Sequence, residues 1–124
     1  MNEFEFKYHK RFNSEKHKFS NKYNSFESDF EIFQTALQVD ITYNNYIVPT
    51  GTDKYSKIQG LDKKVPLPAF VAKKFRCADM NKGSNSGFRF TFLYDKPERI
   101  IYFVEIYFKG QNEIENKDRI NKLF

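Results

Sequence analysis

Tryptophan is absent from this chain, cysteine occurs once, proline four times and glycine five times. The single Cys77 excludes an internal disulfide and a multi-cysteine zinc site within one chain. No apolar run approaches the roughly 20 residues of a spanning helix, so no transmembrane helix and no membrane partner are expected. The opening MNEFEFKYHK lacks a basic segment followed by an apolar stretch of about 7–15 residues, the form of a secretory signal, and a cytoplasmic protein is expected. At 124 residues there is no room for a cofactor domain beside a substrate domain. One domain over residues 1–124 is the expectation, with no cofactor.

What the chain does have is aromatic rings and charge. Eight Tyr and fifteen Phe make 19% of the residues against 40% apolar in all, so nearly half of the core material is ring. Lys and Arg number 21 against 16 Asp and Glu, a formal charge of +5. That excess favours an acidic partner such as RNA, DNA, an anionic surface or an acidic protein, without choosing among them.

Apolar and polar residues alternate at Phe4, Phe6 and Tyr8, which predicts a strand over 3–11. Phe12, Phe19, Tyr23, Phe26, Phe30, Phe33 and Leu37 recur at helical intervals and predict two packed helices, about 14–23 and 26–38. Ser25 is read as the N-cap of the second, with Glu27 and Asp29 in its first turn. Residues 40–68 carry Asn44, Asn45, Pro49, Gly51, Gly60, Pro66 and Pro68 and read as connection, with at most one short strand. Three antiparallel strands follow, over 70–79, 88–95 and 99–109, and 112–124 reads as a short amphipathic helix capped near Asn116. The fold class is therefore α+β: an N-terminal strand, a helix pair, a three-stranded antiparallel meander and a C-terminal helix.

Alternation sorts each strand into faces. Phe88, Phe90, Phe92 and Tyr94 form one core face. Val71, Phe75 and Cys77, with Lys73 at the strand edge, and Ile100, Tyr102, Val104, Ile106 and Phe108 form the others. The opposite face then collects Lys74, Arg76, Arg89, Thr91, Glu105, Tyr107 and Lys109. Cations around a carboxylate and a phenol can hold a phosphodiester, stabilise its developing charge and move protons. The same residues also suit a solvated sheet face laced with ion pairs, in which Glu105 pairs with Arg76 or Arg89. The loop 81–87 does not match a phosphate-binding P-loop; it reads either as a basic hairpin with Lys82 near a groove or as a solvated turn. His9 and His17 have no second ligand at metal spacing, and Cys77 reads as a buried apolar filler.

Three segments carry a family resemblance: Lys74-Phe75-Arg76-Cys77, Lys82-Gly83-Ser84-Asn85-Ser86-Gly87-Phe88-Arg89 and Glu105-Ile106-Tyr107-Phe108-Lys109. They resemble, in order and spacing, the K-x-R strand, the KGxxSG(F/Y)R hairpin and the EIYxK strand of the RelE/ParE superfamily of toxins from toxin-antitoxin pairs, RelE/HigB-like members above all. The likeness spans about residues 66–124 and extends to the N-terminal third only as an order of elements. It implies a RelE-like fold and a metal-independent endoribonuclease that cleaves mRNA, commonly on the ribosome, and is neutralised by a cognate antitoxin laid over it. By the same resemblance Arg89 is the phosphate-stabilising arginine, and Lys74, Arg76 and Lys109 stand where the family places cations; Arg89, Arg76 and Lys109 are read as catalytic and Lys74 as RNA-contacting, and the face sorting and the hairpin reading add Thr91 and Lys82 to the RNA contacts. Some members carry a C-terminal His or Tyr for proton transfer. Residues 110–124 have neither, so Glu105, Tyr107 or a lysine must serve. A gyrase-inhibiting toxin of the ParE kind and a non-toxic RNA- or protein-binding module are the competing readings.

Overall fold

A computed structural model describes residues 4–110 and 115–124. Strand β1 (Glu5–Tyr8) leads into α1 (Lys10–Lys22) and α2 (Phe26–Thr42), followed by β2 (Tyr55–Lys57), β3 (Ala69–Ala72), β4 (Phe88–Asp95), β5 (Ile100–Phe108) and α3 (Lys117–Asn121). The fold is α+β, as expected, but the sheet is not a three-stranded meander. It has five strands in the order β1-β5-β4-β3-β2, with β1 parallel to β5 and the other pairs antiparallel. The pair α1–α2 between β1 and the remaining strands lets β1 return alongside β5, which a tight turn could not do.

Both helices start earlier or end later than the aromatic stripe alone indicates. His9 caps α1, its Nδ1 accepting from the Arg11 N–H at 3.0 Å, so the helix begins where a strand to residue 11 was expected. Ser25 stands at the N-cap position of α2 but makes no cap bond within that helix. Its hydroxyl instead accepts from the Asp79 N–H at 2.9 Å, and the Asp79 carboxylate accepts from the Ser25 N–H at 3.0 Å. This exchange ties the segment after β3 to the start of α2.

One face of the sheet packs on α1 and α2. Phe12, Phe26, Phe30, Phe88, Phe90 and Phe103 are all at most 2% exposed there, with ring centroids such as Phe33–Phe90 at 4.8 Å and Phe12–Phe103 at 5.2 Å. Each such pair adds about 0.5–1.5 kcal/mol beyond burial. The opposite face is not left to solvent. Ile58, Ala69, Val71, Leu93, Val104 and Ile120 form a second core, in which the 58–67 segment and α3 pack on the sheet. Asn116 caps α3 as expected, its side chain accepting from the Arg119 N–H at 3.2 Å; the 112–114 start of the expected helix lies outside the described residues.

Two departures from alternation account for this second core. Thr91 pairs with Glu105 but Phe92 pairs with Phe103, so Val104 is an extra residue bulged out of the ladder. The bulge puts Ile101, Phe103 and Ile106 toward the helices and Tyr102 and Val104 away from them, so the face expected for Tyr102 and Val104 is reversed. The first strand of the expected meander ends at Ala72 rather than at 79. Phe70 and Ala72 face the helices and Val71 does not, and a slip of one residue after Ala72 returns Phe75 and Cys77 to the helix side.

β1 covers β5 only as far as Phe103, whose carbonyl accepts from the His9 N–H at 2.9 Å. Beyond it, the edge of β5 is closed by side chains. Arg119 Nη1 donates to the Val104 carbonyl at 2.8 Å, and Glu15 Oε1 accepts from the Ile106 N–H at 3.0 Å. The two side chains meet in a bidentate pair, Nη1–Oε1 at 2.9 Å and Nη2–Oε2 at 2.8 Å. The Arg119 side chain is only 4% exposed, and deleting one partner strands a buried charge. Glu15→Ala, which leaves the buried guanidinium without its carboxylate, is expected to lower unfolding free energy by about 3–5 kcal/mol, with the Glu15→Ala/Arg119→Ala double variant losing clearly less than the sum of the single losses in urea titrations.

Candidate phosphate-binding groove

The uncovered end of the second sheet face holds a cavity of about 420 Å³ lined by Asp53, Lys73, Lys74, Ser84, Asn85, Gly87, Arg89 and Lys109. Four cations face one carboxylate, and that carboxylate is already engaged, Lys74 Nζ lying 3.6 Å from Asp53. Of the expected site residues, Lys74, Arg89 and Lys109 converge here, joined by Lys73, which alternation placed on the core side. Lys73 moves to the groove because the strand ends before it, and its carbonyl orients Arg89, whose Nη1 donates to it at 2.7 Å. That bond fixes the half-buried guanidinium at the groove wall, with no carboxylate partner among the described residues.

The hairpin leading into β4 is built to bring both ends of the groove together. The Ser86 hydroxyl, 2% exposed, donates to the Phe75 carbonyl at 2.6 Å and anchors the loop to the segment bearing Lys74. Gly87 has φ +91 and lies against the Phe108 ring, which a Cβ there would meet at 2.9 Å. Its carbonyl accepts from the Lys109 N–H at 2.9 Å, which sets Lys109 beside the hairpin, at the mouth of the groove that Arg89 also lines. Ser84 and Asn85 add neutral polar groups at the rim.

The remaining expected residues lie elsewhere. Arg76 is carried toward α2 by the Ser25–Asp79 exchange and lines a different hollow with Asp29, Ile32 and Ala36. Lys82 is exposed in the loop but does not line the groove. Thr91 is 0% exposed, and its Oγ1 finds no hydrogen-bond partner among the described residues. Glu105 pairs with neither Arg76 nor Arg89. It is 6% exposed and accepts from the Asn116 N–H at 2.8 Å. Burial holds its pKa above the ordinary carboxylate range, against the opposing pull of that N–H and of Arg119. Tyr107 is 5% exposed, and its phenol is pushed up to about 12 by burial and then by the nearby Glu115 and Glu105 carboxylates. It therefore stays protonated at neutral pH, with the Arg89 charge acting in the opposite direction.

Sequence reasoning missed Lys73, Ser86 and the Glu15–Arg119 pair. Glu15 had one visible signal, since it is the only acid in the otherwise basic segment KRFNSEKHKFSNK. No family model, curated protein or solved structure matches the chain. Among the described residues no group of three or more His, Cys, Asp or Glu side chains is placed to hold a metal ion. No described helix is long and apolar enough to cross a membrane.

The buried Glu105 carries a pH signature. Its folded-state pKa is raised, so the folded state binds the proton more tightly than the unfolded chain, and this contribution to stability is present below the ordinary value of 4.5 and lost as pH rises through the folded pKa. Glu105→Gln keeps an acceptor for the Asn116 N–H and removes the buried charge. The variant is expected to melt higher than wild type near pH 7, with the gap narrowing as pH falls toward 4.5 in paired thermal scans.

Proposed function

We propose that the groove binds an RNA phosphodiester and that the protein is a metal-independent endoribonuclease acting on mRNA as the toxin of a toxin-antitoxin pair, most simply with its substrate presented on the ribosome. The observation that carries this reading is the convergence of Lys73, Lys74, Arg89 and Lys109 on one 420 Å³ groove whose single carboxylate is occupied by Lys74. The resemblance of the three motif segments to RelE/ParE toxins supports it independently, because the hairpin and the last strand supply Arg89 and Lys109 in the same groove.

In this account the 2′-OH attacks the adjacent phosphorus, forming the O2′–P bond while the P–O5′ bond breaks. The products are a 2′,3′-cyclic phosphate and a 5′-OH end. Arg89, held at 2.7 Å on the Lys73 carbonyl, meets the extra negative charge that develops on the phosphoryl oxygens. The exposed Lys109 ammonium protonates the departing 5′ oxygen, and solvent takes the 2′ proton, since Glu105 and Tyr107 are buried and neither lines the groove. A cognate antitoxin would place acidic side chains over the same cations.

The burial of Glu105 and Tyr107 also favours a second reading, a toxin that binds without hydrolysis, with DNA gyrase as the target. The experiment that separates the two incubates purified protein with ribosomes and mRNA in EDTA and maps new 5′-OH ends. Cleavage is expected, and Arg89→Ala should slow it by roughly 10²–10³-fold and relieve growth arrest. Intact mRNA together with inhibited supercoiling would establish the second reading, and harmless expression without an antitoxin would remove both.

A further inference from the structure

Lys74 stands between two hollows. It lines the phosphate groove and also a second hollow of about 360 Å³, between α2 and the chain that follows β3. The register of β2 on β3 ends at Tyr55–Ala72, and the Lys73 N–H donates to the Lys54 carbonyl at 2.9 Å, so β2 stops short of both hollows. Ile32, Phe33, Ala36 and Phe75 give the second hollow apolar walls, with the rings of Phe33 and Phe75 edge to face at 5.9 Å. Two charged groups interrupt that lining. Arg76 has no ion-pair partner among the described residues. Asp29 accepts from the Ala78 N–H at 2.8 Å through Oδ2, and its Oδ1 has no hydrogen-bond partner among the described residues.

We infer that this second hollow takes the nucleobase next to the phosphate held in the groove, and that Asp29 selects a base carrying an exocyclic amino group. The inference rests on the reading of the groove as an RNA-phosphate site. A base is joined to its phosphate by a short covalent tether, so its site has to adjoin the phosphate site. Lys74 supplies that junction. Its only ion-pair partner among the described residues is Asp53, at 3.6 Å and with an 81% exposed side chain. A surface pair of this kind holds little energy, which leaves the ammonium available to the RNA backbone as it passes from one hollow to the other.

The lining matches a base and no acidic peptide. Apolar walls with a few polar groups are the usual form of a site for a small flat ligand. Arg76 adds a planar cation on which an unstacked base can lie. An aspartate or glutamate side chain entering the hollow would meet the Asp29 carboxylate, and like charges repel. The amino group of cytosine, adenine or guanine instead donates to Oδ1, a charge-assisted bond. Uracil presents a carbonyl oxygen where cytosine carries its amino group, and two acceptors facing each other leave both unpaired.

The test compares 2′-O-methyl trimers of cytidine and of uridine, which share ring size and backbone, by NMR titration of the full chain at low salt. Wild type is expected to bind the cytidine trimer about tenfold more tightly. Asp29→Asn keeps an acceptor for the Ala78 N–H and turns a donor into the hollow, so the preference should vanish or reverse. Ala36→Trp, at an exposed position, should fill the hollow and bring both trimers to one weaker affinity. Thermal melts serve as the folding control for both variants. Arg89→Ala should weaken the two trimers alike and keep their ratio. Binding that Arg89→Ala weakens, but with a cytidine-to-uridine ratio near one or a ratio untouched by Asp29→Asn and Ala36→Trp, would overturn the inference and leave the groove reading standing. A wild type that binds neither trimer would overturn both.

Discussion

The extra residue at Val104 is the constraint on which the rest of the structure depends. It breaks the alternation of β5 halfway along, so that the strand serves the helix-side core with Ile101, Phe103 and Ile106 and the second core with Val104. A bulge at the point where β1 stops leaves β5 with unpaired backbone groups, and such an edge is costly when buried and adhesive when exposed. Glu15 and Arg119 close it, one accepting from the Ile106 N–H and the other donating to the Val104 carbonyl. One ion pair therefore joins α1, β5 and α3. It also fixes α3 over the second face, beside the end that holds the groove.

That division of the sheet sets the electrostatics of the groove. Glu15 and Glu105 are drawn to the α3 side, where Arg119 and the Asn116 N–H meet them. The cations of β4, of the chain just after β3 and of the end of β5 are left at the open end with only Asp53 among them. The surplus of positive charge in the composition thus acquires a location. Ser86 and Gly87 keep it compact, the first by tying the hairpin to the Phe75 carbonyl and the second by letting the backbone pass against Phe108. A groove of this kind stabilises charge that develops on a phosphate without any group having to move into place.

Much of this was legible in the sequence, for reasons that also explain what was not. The aromatic stripe from Phe12 to Leu37 read as two helices because burial on one side demands helical spacing, and Phe88 to Tyr94 read as a strand with the correct inward face. Arg89 and Lys109 were brought to one site by alternation within strands that stay in the ladder. Alternation failed where the ladder itself breaks. The bulge reversed the faces of Tyr102 and Val104, and the end of β3 at Ala72 freed Lys73 for the groove and sent Arg76 to α2. The parallel return of β1 and the Glu15–Arg119 pair, residues far apart in the chain, depend on tertiary placement that no local pattern encodes.

In the proposed function, phosphate is recognised by the groove cations rather than by the exposed basic face of α1. Amide chemical-shift mapping with a short 2′-O-methyl oligoribonucleotide, which cannot be cleaved by 2′-OH attack, separates the two surfaces. Saturable shifts are expected at Lys73, Lys74, Asn85, Gly87, Arg89 and Lys109, fading as salt is raised. Shifts confined to the face bearing Lys10, Arg11, Lys18 and Lys22, or none at low salt, would contradict it.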